Sequence, residues 1–450
     1  MSDQLDRRQF LRTAATTGVG VGLAAKELAG RPAFADMAAT GTIAAPPLDV
    51  VRMGFVGVGH QGTSHVSNFL KIDGVEIRVI CDLLPEHAQR AAKMVTDAGK
   101  PAPAILTGPE AYRALAQRDD VDLVFNATRW ELHAPVLLAA LKGGKHAATE
   151  VPLSISIEES WALVEASEKA QKHCVMMENC CYDRTEMMIL NMIRQGQFGE
   201  LLHAECGYLH DLRRLKLTDF YVNRWRVKHS ITRNGDLYPT HGVGPVAQWM
   251  NVNRGNQFDY LVAMSGPSRG LNLWAAEHIG PESAEARQRY ALGDVVNTLV
   301  RTKSGQTILV THDTDSPRPY SRRMLLQGTK GVVQKYPAPA RIHVEGRSRA
   351  HQWDAFADYQ KEFEHPVWQA LEERSKGAGH GGMDYIEDYR LIQCLRAGTP
   401  TDMDVYDGAA WSAVGFLSEK SVASRSRPVD FPDFTRGAWV KRPALGIVRI

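Results

Sequence analysis

From Val51 onward, short apolar runs alternate with stretches in which apolar residues recur every three or four positions. The runs at 53–56, 77–81, 123–126, 146–149 and 174–177 are brief, nearly unbroken and bounded by turn residues, so they read as strands. The helical period predicts helices over 63–70, 85–98, 109–117, 133–142 and 157–172. Alternation of buried strands with amphipathic helices marks a parallel, doubly wound α/β sheet. After Met177 the pattern changes. A helix is predicted over 186–196, closed by Gly196, and the runs at 201–209, 260–265, 295–302, 307–313 and 323–328 are rich in β-formers. Those at 295–302 and 306–312, joined through Ser304-Gly305, read as an antiparallel hairpin. The second half is therefore expected to be an α+β domain built on a mostly antiparallel open sheet with helices on one face.

Chemistry enters where the first strand ends. Gly57-Val58-Gly59-His60-Gln61-Gly62 lies between a strand and a helix, the setting in which such glycines form a dinucleotide-binding turn of the Rossmann kind. Gly57 permits the turn, Gly59 lets the backbone approach a pyrophosphate, and Gly62 lets helix and strand pack closely. The helix start then offers unpaired N–H groups to the phosphates. Asp82 ends the second strand 25 positions after Gly57. A carboxylate there accepts from the ribose hydroxyls and repels a 2′-phosphate, so NAD is expected over NADP.

Composition and termini narrow the setting. A chain of 450 residues suggests more than one core, with residues 51–178 as the nucleotide domain and 179–450 as a substrate domain. The 44% hydrophobic and 23% charged content and net charge of +2 fit a globular protein with no footprint for nucleic acid, and no mature segment is long enough to span a membrane. Arg7-Arg8-Gln9-Phe10-Leu11, the weakly apolar stretch 13–25 and Ala33-Phe34-Ala35 read as a twin-arginine signal over 1–35, followed by a linker over 36–50. The expectation is export in the folded state, to the periplasm or beyond, by the twin-arginine machinery. None of the six cysteines shows metal-site spacing, and they read as buried free thiols.

Candidate site residues cluster at strand ends and in polar, aromatic loops. Trp130 and His133 follow the strand at 123–126, and Glu150-Val151-Pro152 ends the next, with a peptide bond before Pro152 that is a candidate for the cis form. Glu178-Asn179-Cys180-Cys181-Tyr182 joins the two halves. Arg226 and the run Tyr238-Pro239-Thr240-His241-Gly242 gather cationic, aromatic and imidazole groups, with His241 suited to proton transfer near neutrality. No His-x-x-His or carboxylate cluster points to a metal.

Together the glycine turn, Asp82, the Glu-x-Pro at 150–152 and the closing region 384–428 make the chain resemble the Gfo/Idh/MocA oxidoreductases. The oxidoreductases of that group carry Lys before the Pro, where it manages the proton of the oxidised hydroxyl; here the residue is Val151. With Trp130-Glu131-Leu132-His133, Glu178–Tyr182 and Tyr238–Gly242 added, the chain more narrowly resembles glycoside hydrolase family 109, associated with α-N-acetylgalactosaminidase activity and tightly held, recycled NAD. The resemblance implies a nucleotide pocket of Gly57, Gly59, His60, Gln61, Gly62, Asp82, Trp130, His133, Glu150, Val151 and Asn179. It implies a substrate pocket of Tyr208, Arg226, Tyr238, Pro239, Thr240, His241 and Tyr320, with His241, Tyr238 and Glu150 as catalytic candidates. The implied reaction is transient oxidation at C3, loss of the C2 proton, elimination at C1, addition of water and re-reduction. An exported sugar oxidoreductase and a non-catalytic sugar-binding relative are the rival readings, and a homo-oligomer is compatible with each.

Overall fold

The computed structural model describes residues 42–43 and 45–450. The twin-arginine segment and its processing site lie outside the described residues, as does much of the linker. Six strands form the first sheet: β1 (Val51–Val56), β2 (Val75–Asp82), β3 (Ala104–Thr107), β4 (Leu123–Asn126), β5 (His146–Glu150) and β6 (Cys174–Met177). All pairs are parallel, in the order β3-β2-β1-β4-β5-β6. The chain thus winds outward in both directions from β1, and the gap between the loops after β1 and β4 is the crevice where such sheets bind ligands.

The helices between these strands are α1 (His60–Phe69), α2 (Pro85–Asp97), α3 (Ala111–Ala116), α4 (His133–Lys142) and α5 (Ile157–Ala170). Helix α1 begins three residues before its expected start, because Gly62 lets the first turn lie directly on the Gly57 carbonyl. Strand β3 has no counterpart in the sequence reading. It is a four-residue edge strand with alternately half-buried and exposed positions, too short and too open for a period to register. Phe55, Phe69 and Phe125 pack within 5.8 Å of one another between sheet and helix, tying β1, α1 and β4 into one layer.

Helix α6 (Arg184–Arg194) leads into the second sheet, capped by the Asp183 carboxylate on the Thr185 N–H. That sheet has nine strands, β7 to β10 with β11 (Leu325–Gly328), β12 (Gly331–Gln334), β13 (Arg341–Val344), β14 (Asp354–Ala355) and β15 (Val429–Asp430), in the order β14-β13-β12-β11-β7-β10-β9-β8-β15. Its central pair, β7 (Leu201–Leu209) and β10 (Thr307–Asp313), is parallel. The other pairs, among them β10 with β9 (Val296–Thr302) and β9 with β8 (Phe258–Ser265), are antiparallel. The β9–β10 hairpin turns at Gly305, whose φ of 90° suits glycine. Helices α7 (Trp225–Thr232) and α8 (Thr240–Trp249) follow β7, and α8 packs against it.

The chain then returns to its beginning. Helix α9 (Met383–Ala397) packs on α1, and α10 (Val405–Ala423), opened by an Asp404–Asp407 capping box, packs on α5, α8 and β8. Both are buried nearly all round, so they fasten the second half to the first. All six cysteines are buried and free.

Candidate active site

The glycine turn fits a dinucleotide closely. Gly57 has φ 82°, and a Cβ there would lie 2.9 Å from the Ala127 backbone of the loop after β4. A Cβ on Gly62 would strike the Gly57 carbonyl, whereas above Gly59 there is open space to 4 Å, room for a phosphate group to approach the backbone. Helix α1 starts here without a side-chain cap, leaving its N–H groups for an anion. Asp82 Oδ2 accepts from the Val58 N–H at 2.7 Å and Oδ1 from Leu84 N–H at 2.8 Å. A carboxylate has lone pairs for about four bonds, so two remain for a ribose diol.

His60 and Gln61 open α1 and reach across to the second half. The His60 ring stacks on Phe220 at 4.4 Å, and Gln61 Nε2 donates to Asp384 Oδ2 at 3.2 Å. Asn179, just past β6, donates from Nδ2 to Asp384 Oδ1 at 2.8 Å. Asp384 sits in the first turn of α9 and also meets His380 Nδ1 at 2.8 Å. Burial would raise the Asp384 carboxyl, but His380 and Asn179 overcome this and bring it to about 2. Val151 is buried, and the bond to Pro152 is cis. His133 braces the crevice wall: Nδ1 lies 2.6 Å from the Pro152 carbonyl and Nε2 3.0 Å from that of Thr128. Burial lowers its pKa, so the neutral ring donates to one of these two carbonyls, and its side chain braces the loop after β4.

The predicted substrate residues meet beside this crevice. Tyr238 stacks on Trp130 at 5.6 Å and stands edge-on to His241 at 4.9 Å, with Tyr208 4.7 Å away on β7. Tyr320 closes the far side, 6.1 Å from Tyr208. The Arg226 guanidinium lies 4.7 Å from the Tyr238 ring centre and 5.2 Å from that of Trp130, and donates to Tyr221 Oη at 3.0 Å. Burial holds the Tyr208 phenol up near 12 and the Tyr238 phenol well above its usual value, so both are proton donors in the resting site, not bases. Pro239 and Thr240, both buried, form the entry to α8 and orient His241.

His241 Nδ1 lies 2.6 Å from Glu178 Oε1, and Glu178 is completely buried. Burial would drive that carboxyl up; His241 and the Cys180 N–H more than offset it and hold it below the ordinary value. With Nδ1 fixed on the acid, Nε2 is the atom left for substrate, the arrangement of an imidazole base with its orienting carboxylate. Glu178, Cys180 and His241 also bring a carboxylate, a thiol and an imidazole within 4.8 Å of one another. The thiol is pushed well up by burial, which disfavours the thiolate a metal would need.

Several site residues escaped the sequence reading. Glu178 was within a quoted motif, one residue beyond β6, but without a role. His380 stands in the run Gly379-His380-Gly381-Gly382, where His380 and two glycines have positive φ. The side chain is 55% exposed, and the bond to Asp384 raises its pKa. A histidine among three glycines before a helix was the available signal. Glu150, a predicted residue, is joined to two unpredicted ones, His65 and Asp388.

Comparison with known proteins agrees with this geometry. Residues 51–178 match the family model described as "Oxidoreductase family, NAD-binding Rossmann fold", and residues 182–441 match "Glycosyl hydrolase 109, C-terminal domain". A glycosyl hydrolase family 109 protein from Shewanella pealeana is 45% identical over 99% of both chains. A protein named alpha-N-acetylgalactosaminidase from Shewanella oneidensis is 44% identical over 99% of both. Among solved structures, a levoglucosan dehydrogenase in complex with NADH aligns with TM-score 0.66 and 21% identity, covering 85% of this chain and 99% of that one, a likeness of fold. The chain belongs to glycosyl hydrolase family 109, with a nucleotide-binding half of the Gfo/Idh/MocA type.

Proposed function

We propose that this protein is an NAD-dependent glycosidase that releases terminal α-linked N-acetylgalactosamine, with the nucleotide held through successive turnovers. The observation that carries the reading is the pair of imidazoles beside a crevice whose residue 151 is a buried valine. His241 is held by Glu178 and His380 by Asp384, both within hydrogen-bond distance. Alcohol oxidation alone would need a single group for the hydroxyl proton, whereas cleavage needs further proton transfers at C2 and at the departing oxygen.

A bound nicotinamide supplies a reversible acceptor for the hydrogen at C3 of the sugar, which makes the C2 proton acidic. His241 Nε2 removes that C2 proton, its imidazolium stabilised by Glu178. His380, exposed on its glycine loop and with a raised pKa, carries the proton that the aglycone oxygen takes as it leaves, and then assists water at C1. Tyr208, Tyr238, Arg226 and Tyr320 hold the ring by stacking and hydrogen bonds. The Arg7-Arg8 pattern supports export with the nucleotide already aboard; cell fractionation of an Arg7→Lys, Arg8→Lys variant should find it retained in the cytoplasm, and unchanged export would overturn this.

Turnover of an aryl α-N-acetylgalactosaminide in D2O tests the chemistry. Deuterium is expected at C2 of the released sugar, beyond what the free sugar exchanges by itself. Cleavage without deuterium at C2 rules out elimination, and accumulation of an oxidised sugar with reduced nucleotide turns the reading to an oxidoreductase.

A further inference from the structure

Beneath the crevice lies a third acid–imidazole arrangement that the steps above leave unused. His65, on α1 and 1% exposed, stands between two carboxyls: Nε2 is 2.7 Å from Glu150 Oε1, and Nδ1 is 2.9 Å from both oxygens of Asp388. Asp388, on α9, also accepts from Asn68 Nδ2 at 3.0 Å. Glu150 Oε2 meets the Val151 N–H at 3.3 Å, and the side chain keeps 19% of its exposure. The order is a buried acid, an imidazole, and then a carboxyl reaching the crevice.

A ring flanked by carboxylates on both nitrogens satisfies both only by donating from both, as the imidazolium. The faces of His65 pack near Phe125 and Phe69, at 4.6 and 6.4 Å, so water does not take their place. The other titratable groups around it are Asp384 and Glu387 on α9 and His380 on the glycine loop. Asp384 is paired with His380. Glu387 has both oxygens buried without a partner and is pushed well up by burial, so it is a neutral acid. Burial pushes the Asp388 carboxyl up to about 6 against the opposing bonds from His65 and Asn68, so near neutral pH it is an anion facing His65 Nδ1.

We infer that Glu150 takes the proton of the sugar hydroxyl during its transient oxidation and returns it on re-reduction, with His65 and Asp388 as the positioning residues that hold it oriented. This rests on the redox-assisted reading above. A bound nicotinamide would accept hydride from C3; on the protein's side the O–H bond breaks, its proton passes to Glu150 Oε2, and the O–H pair becomes the second bond of the ketone. The return reverses each transfer, so the network ends as it began. Val151 has no proton to give or take, which leaves this duty to a neighbour.

NMR of the 15N-histidine-labelled holoenzyme reads the network without turnover, the His65 signals being identified by their loss in His65→Gln. Both ring nitrogens are expected to stay protonated well above the pH at which an ordinary imidazole loses its proton. Neutral His65 at pH 7 would overturn the proposal. In Asp388→Asn His65 keeps only Glu150 as an anionic partner, the imidazolium is less favoured, and the acid limb of kcat against pH moves with KM little changed. A superimposable profile in that variant would also overturn it. If no glycoside is cleaved while His65 remains charged, the hydrolase reading fails and the network stands.

Discussion

Replacing Glu178 by Gln removes one charge from beneath His241 while keeping shape and an acceptor. In the native site Oε1 receives two hydrogen bonds, from His241 at 2.6 Å and from the Cys180 N–H at 3.1 Å, and the side chain has no exposure through which water could compensate. A hydrogen bond to a charged group contributes about 1.5–3 kcal/mol and a neutral one about 0.5–1.5, so the imidazolium form of His241 loses roughly 1–2 kcal/mol. At about 1.4 kcal/mol per decade, proton acceptance at Nε2 slows roughly 5–30-fold. Stability falls as well: the Glu178 carboxyl is depressed on folding, so its ionised form stabilises the fold at neutral pH and the amide forfeits that contribution. Glu178→Gln should therefore lower kcat/KM on an aryl α-N-acetylgalactosaminide about tenfold, with a lower Tm at neutral pH. Glu178→Leu, which leaves Nδ1 with no acceptor, should lower both. Nucleotide content of each variant is checked by denaturing release, so that lost cofactor is not mistaken for lost chemistry. A holo Gln variant within twofold of native activity would refute the claim that Glu178 polarises His241.

Nucleotide released from the native protein should be NAD, because the Asp82 carboxylate, besides its bonds from Val58 and Leu84 N–H, is placed to accept from a ribose diol and to repel a 2′-phosphate; a majority of NADP would be inconsistent with that placement. Gly62→Ala drives a methyl group into the Gly57 carbonyl and should cost both Tm and most of the bound nucleotide, whereas full occupancy at native Tm would show that the turn tolerates it. Asp384 is lowered from 3.8 to about 2: burial opposes the shift, and the His380 and Asn179 bonds prevail. A carboxyl depressed on folding stabilises above its unfolded pKa and loses that contribution as pH falls through the folded value. Asp384→Asn should thus be less stable by about 2 kcal/mol at neutral pH. Urea midpoints should converge with native between pH 4 and 2, and a pH-independent gap would contradict the ion-pair origin of the effect.

The first half of this fold was legible because its central strands are covered on both faces. Leu123–Asn126 is buried at every position and leaves an unbroken apolar run, whereas the edge strand Ala104–Thr107 is half exposed and leaves none. Gly57, Asp82, Glu150 and Asn179 were legible for a topological reason: residues at the carboxyl ends of parallel strands converge on one crevice wherever they fall in the sequence. Tyr238 and His241 could be found as a dense local run. His65, Asp384 and Asp388 could not. Asp388 lies 323 positions from His65, and only the packing of α9 on α1 brings them together. His133 shows the converse. Its position after β4 was legible, yet its ring is packed with both nitrogens against backbone carbonyls, a placement that no pattern of residue types records.

Three imidazoles around this crevice each have a carboxylate from a different element within hydrogen-bond distance: His241 with Glu178, His380 with Asp384, and His65 with Asp388. Each burial of such a pair costs solvation that an apolar pair would not, so their number asks for a chemical reason. Oxidation of an alcohol has one proton to move. The redox-assisted cleavage proposed above has three, from the C3 hydroxyl, from C2 and to the departing oxygen, and their sites are spread around the sugar so that no single group can serve all of them. Each also has to be returned or replaced before the next substrate, because a nucleotide that stays bound must meet each new sugar in the same oxidation state. An imidazole paired with an acid can cycle in that way without drawing on bulk solvent for its counter-charge. On the proposed assignment His241 and His380, each paired with an acid, serve two of the three transfers and Glu150, oriented by His65 and Asp388, serves the third, whereas a crevice suited to a single hydride transfer needs one.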